Sequence, residues 1–176
     1  MSLNGKKILI FAGPLYEDLE LWYPKIRLEE EGAVAVVAGI GDKTYQGKRG
    51  YPVTVDTQVQ EIHAADFDAL VIPGGFAPDQ LRRFDKVLSI TREIYQAGKP
   101  VAFICHAGWV PISAKILKGK RATSVRAIKD DMENAGVLWE DSAVVVDDNL
   151  ISSRTPADLP DFCRALIRAL ERGPRD

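Results

Sequence analysis

Four short strand-like segments, three of them wholly apolar and one that begins with two lysines, alternate with segments of helical pattern, and this alternation strongly constrains the fold of the 176-residue chain. The apolar segments are 6–12, 33–38, 69–72 and 101–104, and the helical segments are 17–31, 85–97, 109–117, 128–134 and 158–170. Strands without polar alternation are typical of parallel sheets that are covered on both faces. The sequence therefore predicts one α/β domain over residues 1–176, a flavodoxin-like doubly wound sandwich with a mostly parallel central sheet and a nucleophile elbow.

Two further segments have the pattern of hairpins at the edge of such a fold. Residues 51–55 alternate between apolar and polar side chains, which predicts a peripheral strand. Residues 144–146 and 150–152 flank Asp147-Asp148-Asn149, which favours a hairpin turn. In the first helix we expect an inner face of Leu19, Trp22, Tyr23 and Ile26, and a kink at Pro24.

Composition narrows the classes of partner and cofactor. A net charge of −2 favours neither a nucleic-acid nor a membrane partner, and the chain enters its first strand without the pattern of a secretory signal. Two distant cysteines favour a reducing cytoplasm, and a chain with two histidines does not have the composition of a His-rich metal site. Gly39-Ile40-Gly41 lacks the third glycine of a dinucleotide fingerprint. We therefore expect a cytoplasmic protein without metal or cofactor.

The apolar segment 101–104 ends abruptly at Cys105, which His106 follows. Ala107 and Gly108 then lead into a second apolar segment, a pattern that predicts a strand, a tight turn and a helix. A nucleophile on such a turn stands clear of the sheet, beside the free N–H groups of a helix start. The helix dipole favours a thiolate there, so we expect a lowered pKa for Cys105. The alternative is a buried cysteine that ends a core strand.

Cys163 is the second cysteine, and it falls on an apolar helical stripe. The stripe contains Leu159, Phe162, Leu166, Ile167 and Leu170. This pattern favours a place in the core. We therefore expect Cys105, not Cys163, to carry the reactive thiol.

Doubly wound sheets bind ligands beyond the carboxyl ends of their strands, which here brings three distant segments together. Glu17 follows the first strand and is expected to face the same crevice as the cysteine. Asp18 and Glu20 are explained by the preference of carboxylates for the first turn of a helix. Gly74 and Gly75 follow the third strand; they either serve as turn residues or free their backbone N–H groups for an oxyanion.

Five motifs follow one another along nearly the whole chain. They are Tyr16-Glu17-Asp18-Leu19-Glu20 within 11–20, Val71-Ile72-Pro73-Gly74-Gly75 with Ala77-Pro78-Asp79, Ile104-Cys105-His106, Ile128-Lys129-Asp130-Asp131-Met132 with Asn134-Ala135-Gly136, and Ser152-Ser153-Arg154 with Pro156-Ala157-Asp158-Leu159. In order and spacing the chain resembles the intracellular protease I (PfpI) family. That family belongs to the class I glutamine amidotransferase-like superfamily, which also holds the Parkinsonism-associated deglycase.

The resemblance implies roles for individual residues. Cys105 is then the nucleophile and His106 its catalytic partner, with Glu17 as the carboxyl group that contacts the sulfur. The backbone N–H groups of Gly75 and His106 are the implied oxyanion donors. In the family a third catalytic acid reaches the histidine of an adjacent subunit, and its position here is Asp79. The alternative for Asp79 is a local role as the cap of a short helix.

Two more residues of the matched motifs, Gly74 and Arg154, are candidates for the oxyanion and binding site. Three positions depart from the family pattern. The chain has Ala107-Gly108 in place of Gly-Pro, an aspartate at Asp79 that is one methylene shorter than the family's glutamate, and Val125 in place of a tyrosine. These departures weaken the expectation of peptide hydrolysis more than that of chemistry on small carbonyl compounds.

The resemblance thus implies a stress-related, cysteine-dependent hydrolase that acts on small carbonyl compounds, glycated molecules or peptides. Such an enzyme is a deglycase or glyoxalase, or an intracellular cysteine peptidase. The resemblance also implies a homo-oligomer, as a dimer or a higher assembly. Two other hypotheses stay open: a non-enzymatic sensor of oxidative stress in which Cys105 is reversibly oxidised, and a chaperone-like oligomer with a vestigial site.

Overall fold

Strands and helices alternate along the chain in the predicted order. The computed structural model describes residues 1–173. The strands are β1 (Lys7–Phe11), β2 (Val34–Gly39), β3 (Thr44–Gln46), β4 (Pro52–Thr54), β5 (Thr57–Gln58), β6 (Ala69–Ile72), β7 (Val101–Ile104), β8 (Arg121–Ala122), β9 (Leu138–Trp139), β10 (Val145–Asp147) and β11 (Leu150–Ser153). The helices are α1 (Asp18–Glu30), α2 (Ala77–Leu81), α3 (Asp85–Gln96), α4 (Trp109–Ser113), α5 (Lys129–Asn134) and α6 (Leu159–Arg172).

A seven-stranded sheet forms the centre, in the order β10-β11-β7-β6-β1-β2-β5. Its strand pairs are parallel except for the antiparallel hairpin of β10 and β11. Helix α1 packs with α6, while α4 packs with both α2 and α3. Strands β6 and β7 are buried along their whole length, which explains their continuous apolar sequences. The predicted flavodoxin-like α/β fold is confirmed.

The register of the three central strands places the functional segments at one edge of the sheet. Ile10 pairs with Val71 across β1 and β6, and Ile72 pairs with Phe103 across β6 and β7. Because these neighbours are parallel, their carboxyl ends emerge side by side. The chain therefore leaves β1, β6 and β7 into one common crevice, as expected for this fold class.

Helix α1 buries a different face from the one predicted. Its apolar inner side consists of Leu21, Pro24 and Leu28, and Pro24 lies inside the helix without dividing it. The expected inner residues lie outside: Leu19 is 56% exposed, Ile26 is 58% exposed, Tyr23 is 38% exposed and Trp22 is half-buried. Both sets have helical spacing, so periodicity alone gave no basis for choosing between them. The prediction of the inner face was wrong.

The remaining elements agree with the predictions to within a few residues, with one exception. The predicted helix 109–117 ends as α4 at Ser113, because Lys115 adopts a left-handed backbone with φ of 62°. Strand β4 pairs with β3, and β10 pairs with β11, as the two expected hairpins. Within residues 1–173, no helix combines the length and the apolar character needed to cross a membrane.

Candidate active site

Cys105 lies on a sharp turn between β7 and a short 3₁₀ helix, Cys105–Gly108, that leads into α4. Its φ of 63° is in the left-handed region, which residues with a side chain rarely adopt. Such a turn at the end of a central strand holds the side chain above the sheet, where a ligand can reach it. The predicted strand, turn and helix are therefore confirmed, and the thiol is half-buried.

The carboxyl group against the cysteine belongs to Glu20, not to Glu17. Glu20 is fully buried in the first turn of α1, and its carboxyl group lies next to the Cys105 side chain, across Gly74. Its Oε2 also accepts a hydrogen bond of 2.8 Å from the backbone N–H of Gly74. The helix dipole alone therefore does not explain Glu20, and the prediction that Glu17 is the carboxyl group against the sulfur was wrong.

Burial changes the protonation of both groups. It raises the pKa of Glu20 to about 8, so this carboxyl is protonated at neutral pH. Burial, followed by the charge of Glu20, raises the pKa of Cys105 to about 12. The expected lowering of the pKa of Cys105 by the helix dipole was wrong, because the helix after the turn is short and the thiol is largely removed from water.

The protonated carboxyl of Glu20 can partly offset the high pKa of the Cys105 thiol. Glu20 Oε1 is buried and lacks a partner of good hydrogen-bond geometry among the described residues. A neutral Glu20 no longer repels a thiolate, and its O–H can donate to one. The two groups therefore titrate as a coupled pair, and at neutral pH, where Glu20 keeps its proton, a thiolate at Cys105 has a neutral neighbour.

The glycine pair serves two different purposes. The N–H of Gly74 is occupied by Glu20, so Gly74 is not free to bind an oxyanion, contrary to one expectation. The N–H groups of Gly75 and His106 instead point at the Cys105 sulfur and lower the pKa of its thiol. Two convergent N–H groups beside a nucleophile are the arrangement of an oxyanion hole.

Both glycines are required by the space around them. A Cβ at Gly74 would lie 2.5 Å from Glu20 Oε2 and 2.7 Å from the Cβ of Cys105. Gly75 has φ of 78°, and a Cβ there would lie 2.4 Å from the backbone nitrogen of Glu17. These contacts are shorter than side chains tolerate, so the segment after β6 can pass beside the cysteine only as glycine.

His106 lies beside the thiol, with 3.4 Å between its Nδ1 and the Cys105 Sγ. Its ring packs edge-on against Trp109, with 5.4 Å between the ring centres. Trp109 Nε1 in turn donates to Asp131 Oδ2 at 3.1 Å. Burial, with a smaller contribution from the charge of Lys48, lowers the pKa of His106. The imidazole is therefore neutral at pH 7 and can accept a proton.

Glu17 lies at the rim of the site and faces the hairpin of β3 and β4. Its Oε2 is 3.5 Å from Lys48 Nζ, and its backbone N–H donates to Gly74 O at 3.1 Å. Its charge is a minor influence on the pKa of Cys105, after burial and Glu20. The structure thus brings Glu17 to the crevice, as expected, but not to the sulfur.

Asp79 makes an ion pair with Arg83 one turn later in the chain, and its side chain is 48% exposed. It lies in the first turn of α2, whose N-terminal cap, Phe76, has no side-chain hydrogen bond. The alternative role of Asp79 as a side-chain cap was therefore wrong. Asp79 also lines a cleft of about 350 Å³, formed with Pro14, Leu15, Phe76, Gln80 and Trp109. Its reach to His106 of another subunit stays a prediction.

Arg154 is engaged elsewhere. Its guanidinium donates to both carboxylate oxygens of Asp158, at 2.9 and 3.0 Å, and to Asp141 at 2.7 Å. These ion pairs connect the end of β11 to the start of α6. These bonds use three of the five guanidinium donors, and the assignment of Arg154 to the binding site stays a prediction.

Cys163 is 1% exposed on the inner side of α6, where burial raises the pKa of its thiol to about 12. Its predicted place in the core is confirmed. In the part of the chain from residue 1 to residue 173, no cluster of three or more His, Cys, Asp or Glu side chains is arranged to hold a metal ion.

Two residues at the site were missed, Glu20 and Lys48. A signal for Glu20 was present: it precedes Pro24 and Leu28 by four and eight residues, so it shares their buried face of α1. Recognition of that buried face would have predicted that the carboxyl group of Glu20 faces the interior. Lys48 lies in a hairpin loop, and no periodic pattern in the sequence connects it to Cys105.

Comparisons with known proteins agree with this architecture. The DJ-1/PfpI family model matches residues 6–169. A protein named deglycase from Pyrococcus horikoshii is 47% identical over 165 residues, which cover 94% of this chain and 99% of the relative. The DJ-1beta structure from Drosophila melanogaster has a TM-score of 0.88 at 28% identity, and the match covers 94% of this chain and 90% of that one.

A second solved structure is a two-domain protein from Anabaena variabilis that contains DJ-1/ThiJ/PfpI-like and ferritin-like domains. It has a TM-score of 0.91 at 42% identity, and the match covers 94% of this chain. The present chain spans 48% of that protein, about half of its length. The match of the family model along the chain, together with the identity to the archaeal relative, shows that the chain belongs to the DJ-1/PfpI family.

Proposed function

We propose that the protein is a cysteine-dependent, deglycase-like hydrolase of small carbonyl compounds, with Cys105 as its nucleophile. The observation that carries the proposal is the position of Cys105 on a strained turn between Glu20, His106 and two free backbone N–H groups. These are a nucleophile, two groups that can move protons, and a site for a negatively charged oxygen.

The reaction with methylglyoxal illustrates what each group does. His106 takes the proton of the thiol, the sulfur adds to the aldehyde carbon, and the N–H groups of Gly75 and His106 stabilise the resulting oxyanion until the protonated carboxyl of Glu20 donates its proton to it. A proton then moves from this carbon to its neighbour through an enediol, with Glu20 as the carrier, and a lactoyl thioester forms on Cys105. Water hydrolyses the thioester, which releases lactate and restores the thiol. The sequence needs no external oxidant or reductant.

The dimensions of the neighbouring cleft support a small substrate. The space beside Trp109 measures about 350 Å³ and is lined mostly by apolar groups, which suits a compact carbonyl compound better than a folded polypeptide. The name deglycase of the archaeal relative points to the same class of substrate. Peptide hydrolysis, reversible oxidation of Cys105 and chaperone-like holding of other proteins remain as the competing functions that an assay must separate.

The assay measures purified protein against methylglyoxal, a methylglyoxal-modified peptide and casein, with Cys105→Ser as the matched variant. We expect lactate to accumulate over many turnovers from the first two substrates, and the variant to lose at least a hundredfold in rate. Cleavage of casein without lactate would instead support a peptidase. Stoichiometric oxidation of Cys105 by peroxide without turnover would support a sensor, and the proposal would be wrong.

We further propose that the protein acts in the cytoplasm as a homo-oligomer. The exposed apolar residues of α1, Leu19 and Ile26, support self-association, because water-exposed aliphatic side chains on one helix favour burial against a second copy. Sedimentation equilibrium of the wild type and of Leu19→Glu tests this assembly. We expect the wild type to be at least dimeric and the variant to dissociate; a monomeric wild type would contradict it.

A further inference from the structure

Lys48 brings a positive charge to the mouth of the active site. Its Nζ lies 3.5 Å from Glu17 Oε2 and 5.8 Å from the centre of the Phe76 ring. The charge of Lys48 also acts on the two proton-carrying groups, since it contributes to the lowered pKa of His106 and opposes the raised pKa of Glu20. The ammonium group therefore lies within electrostatic reach of both partners of the thiol.

The loop that carries Lys48 is fixed in this position by backbone hydrogen bonds. The Lys48 N–H donates to Tyr16 O at 2.7 Å. The buried carboxylate of Asp18 accepts hydrogen bonds from the N–H groups of Arg49, at 2.7 Å, and Tyr51, at 2.9 Å. A Cβ at Gly47 would lie 2.4 Å from the same carboxylate. Charge-assisted hydrogen bonds of this kind hold a loop in one arrangement, so Lys48 is presented to the site rather than free to move away.

The contact with Glu17 leaves Lys48 with hydrogen-bond donors for a further anion. An ammonium group has three donors, and a single oxygen at 3.5 Å engages one of them weakly. The Lys48 side chain remains 40% exposed, so its ammonium group is accessible to a ligand from solvent. The carboxyl groups of Glu17 and Glu20 do not attract an anion, and His106 is neutral at pH 7, so Lys48 supplies the attraction that an anion needs there.

We propose that Lys48 is a specificity residue that binds the anionic end of the substrate, so that the site prefers carbonyl compounds that carry a carboxylate. This inference rests on the proposed function for the carbonyl chemistry. It goes beyond that function because it names the substrate class and a residue of the hairpin that recognises it.

The test compares two alkylating reagents that differ in the charge of the group attached to the reacting carbon. Iodoacetate and iodoacetamide both transfer a carbon to sulfur with loss of iodide, but the first carries a carboxylate and the second an amide. The rate of each on Cys105 is measured by peptide mapping, which separates it from Cys163. In Lys48→Ala we expect the iodoacetate to iodoacetamide rate ratio to fall about threefold to tenfold. Lys43→Ala, an equal loss of charge at the other end of the hairpin, is expected to leave the ratio within about 1.5-fold.

Two results would overturn the inference. One is an unchanged ratio in Lys48→Ala, and the other is an equal fall in Lys43→Ala, which would assign the effect to net charge alone. Glu17→Gln provides a test of the opposite sign, because it releases Lys48 from its ion pair. We expect this variant to raise the ratio, and a fall would contradict the role of Lys48.

A second measurement connects the charge to the substrate. Glyoxylate, which carries a carboxylate, and neutral methylglyoxal are each used to protect Cys105 from iodoacetamide. We expect Lys48→Ala to weaken protection by glyoxylate at least threefold and to leave protection by methylglyoxal unchanged. Neither measurement requires turnover. A protein with a Lys48-dependent ratio but no turnover contradicts the proposed function alone, whereas turnover with a ratio independent of Lys48 contradicts this inference alone.

Discussion

The carboxyl group of Glu20, in the first turn of α1, lies next to the thiol of Cys105, just after β7. The two groups meet above Gly74, whose N–H orients the carboxyl and whose missing side chain leaves room for both. Burial raises the pKa of each group, to about 8 and about 12. At neutral pH Glu20 is protonated, so the thiolate that forms there lies beside a neutral carboxyl, and the chemistry of Cys105 is set by Glu20 as much as by its own turn.

The first prediction concerns this coupling. Above pH 8 we expect Glu20→Gln to be alkylated at Cys105 about threefold to tenfold faster than the wild type, because the carboxylate charge is gone and the amide still donates. Glu20→Leu is expected to gain less, since it cannot donate to the thiolate. The measurement is the iodoacetamide rate as a function of pH. Glu17→Gln is the control and is expected to have the smaller effect; identical profiles for wild type and Glu20→Gln would refute the coupling.

The second prediction concerns stability and pH. The pKa of Glu20 rises from 4.5 to about 8 on folding, so the folded state binds a proton that the unfolded state has lost. This contribution to stability is complete below pH 4.5 and is lost as the pH rises through 8, at no more than about 1.4 kcal/mol per pH unit. Urea unfolding between pH 5 and 8.5 is the measurement. We expect Glu20→Gln to lack this part of the decline, and parallel curves for the two proteins would contradict the buried, protonated state.

The third prediction concerns the space above Gly74. In Gly74→Ala the new methyl group meets Glu20 and the Cβ of Cys105 at 2.5 and 2.7 Å, so we expect a loss of about 1–3 kcal/mol in stability and a change in the reactivity of the thiol. Gly13→Ala is the matched control, because its Cβ would lie no closer than 3.4 Å to any neighbour and neither glycine has a positive φ. Unfolding and Cys105 alkylation are measured on both variants. Equal behaviour of the two would show that the site tolerates a side chain at Gly74.

The fourth prediction concerns a site shared between subunits. Asp79 is 48% exposed and pairs with Arg83 of its own helix, a pairing that costs little to exchange for a histidine across an interface. Inactive Cys105→Ala and Asp79→Ala subunits are mixed, and hybrid assembly is verified by native mass spectrometry. If Asp79 serves His106 in trans, one site of each mixed pair regains both groups and activity returns. Confirmed hybrids without activity would restrict the candidate set to residues of one chain.

Much of the architecture was determined by the sequence itself. Continuous apolar strands require cover on both faces, so the segments before Ala12, Pro73 and Cys105 had to lie in the middle of a parallel sheet, with their ends at one edge. The turn at Cys105 was also predictable, since the apolar strand stops there and two small residues, Ala107 and Gly108, lead into the next helix. This order leaves few geometries other than a tight turn. The motifs that follow this order also indicated the family.

Tertiary structure alone decided which carboxyl groups serve the thiol. Glu17 and Glu20 are three residues apart on a helix with apolar residues on two sides, and the pattern alone did not fix its rotation. Packing of Leu21 and Leu28 against the core set that rotation and buried Glu20 beside Cys105. The raised pKa values follow from this burial, and the position of Lys48 follows from a hairpin held by Asp18. Local pattern determines which elements form, whereas the rotation of a helix and the desolvation of a side chain depend on neighbours that are distant in the chain.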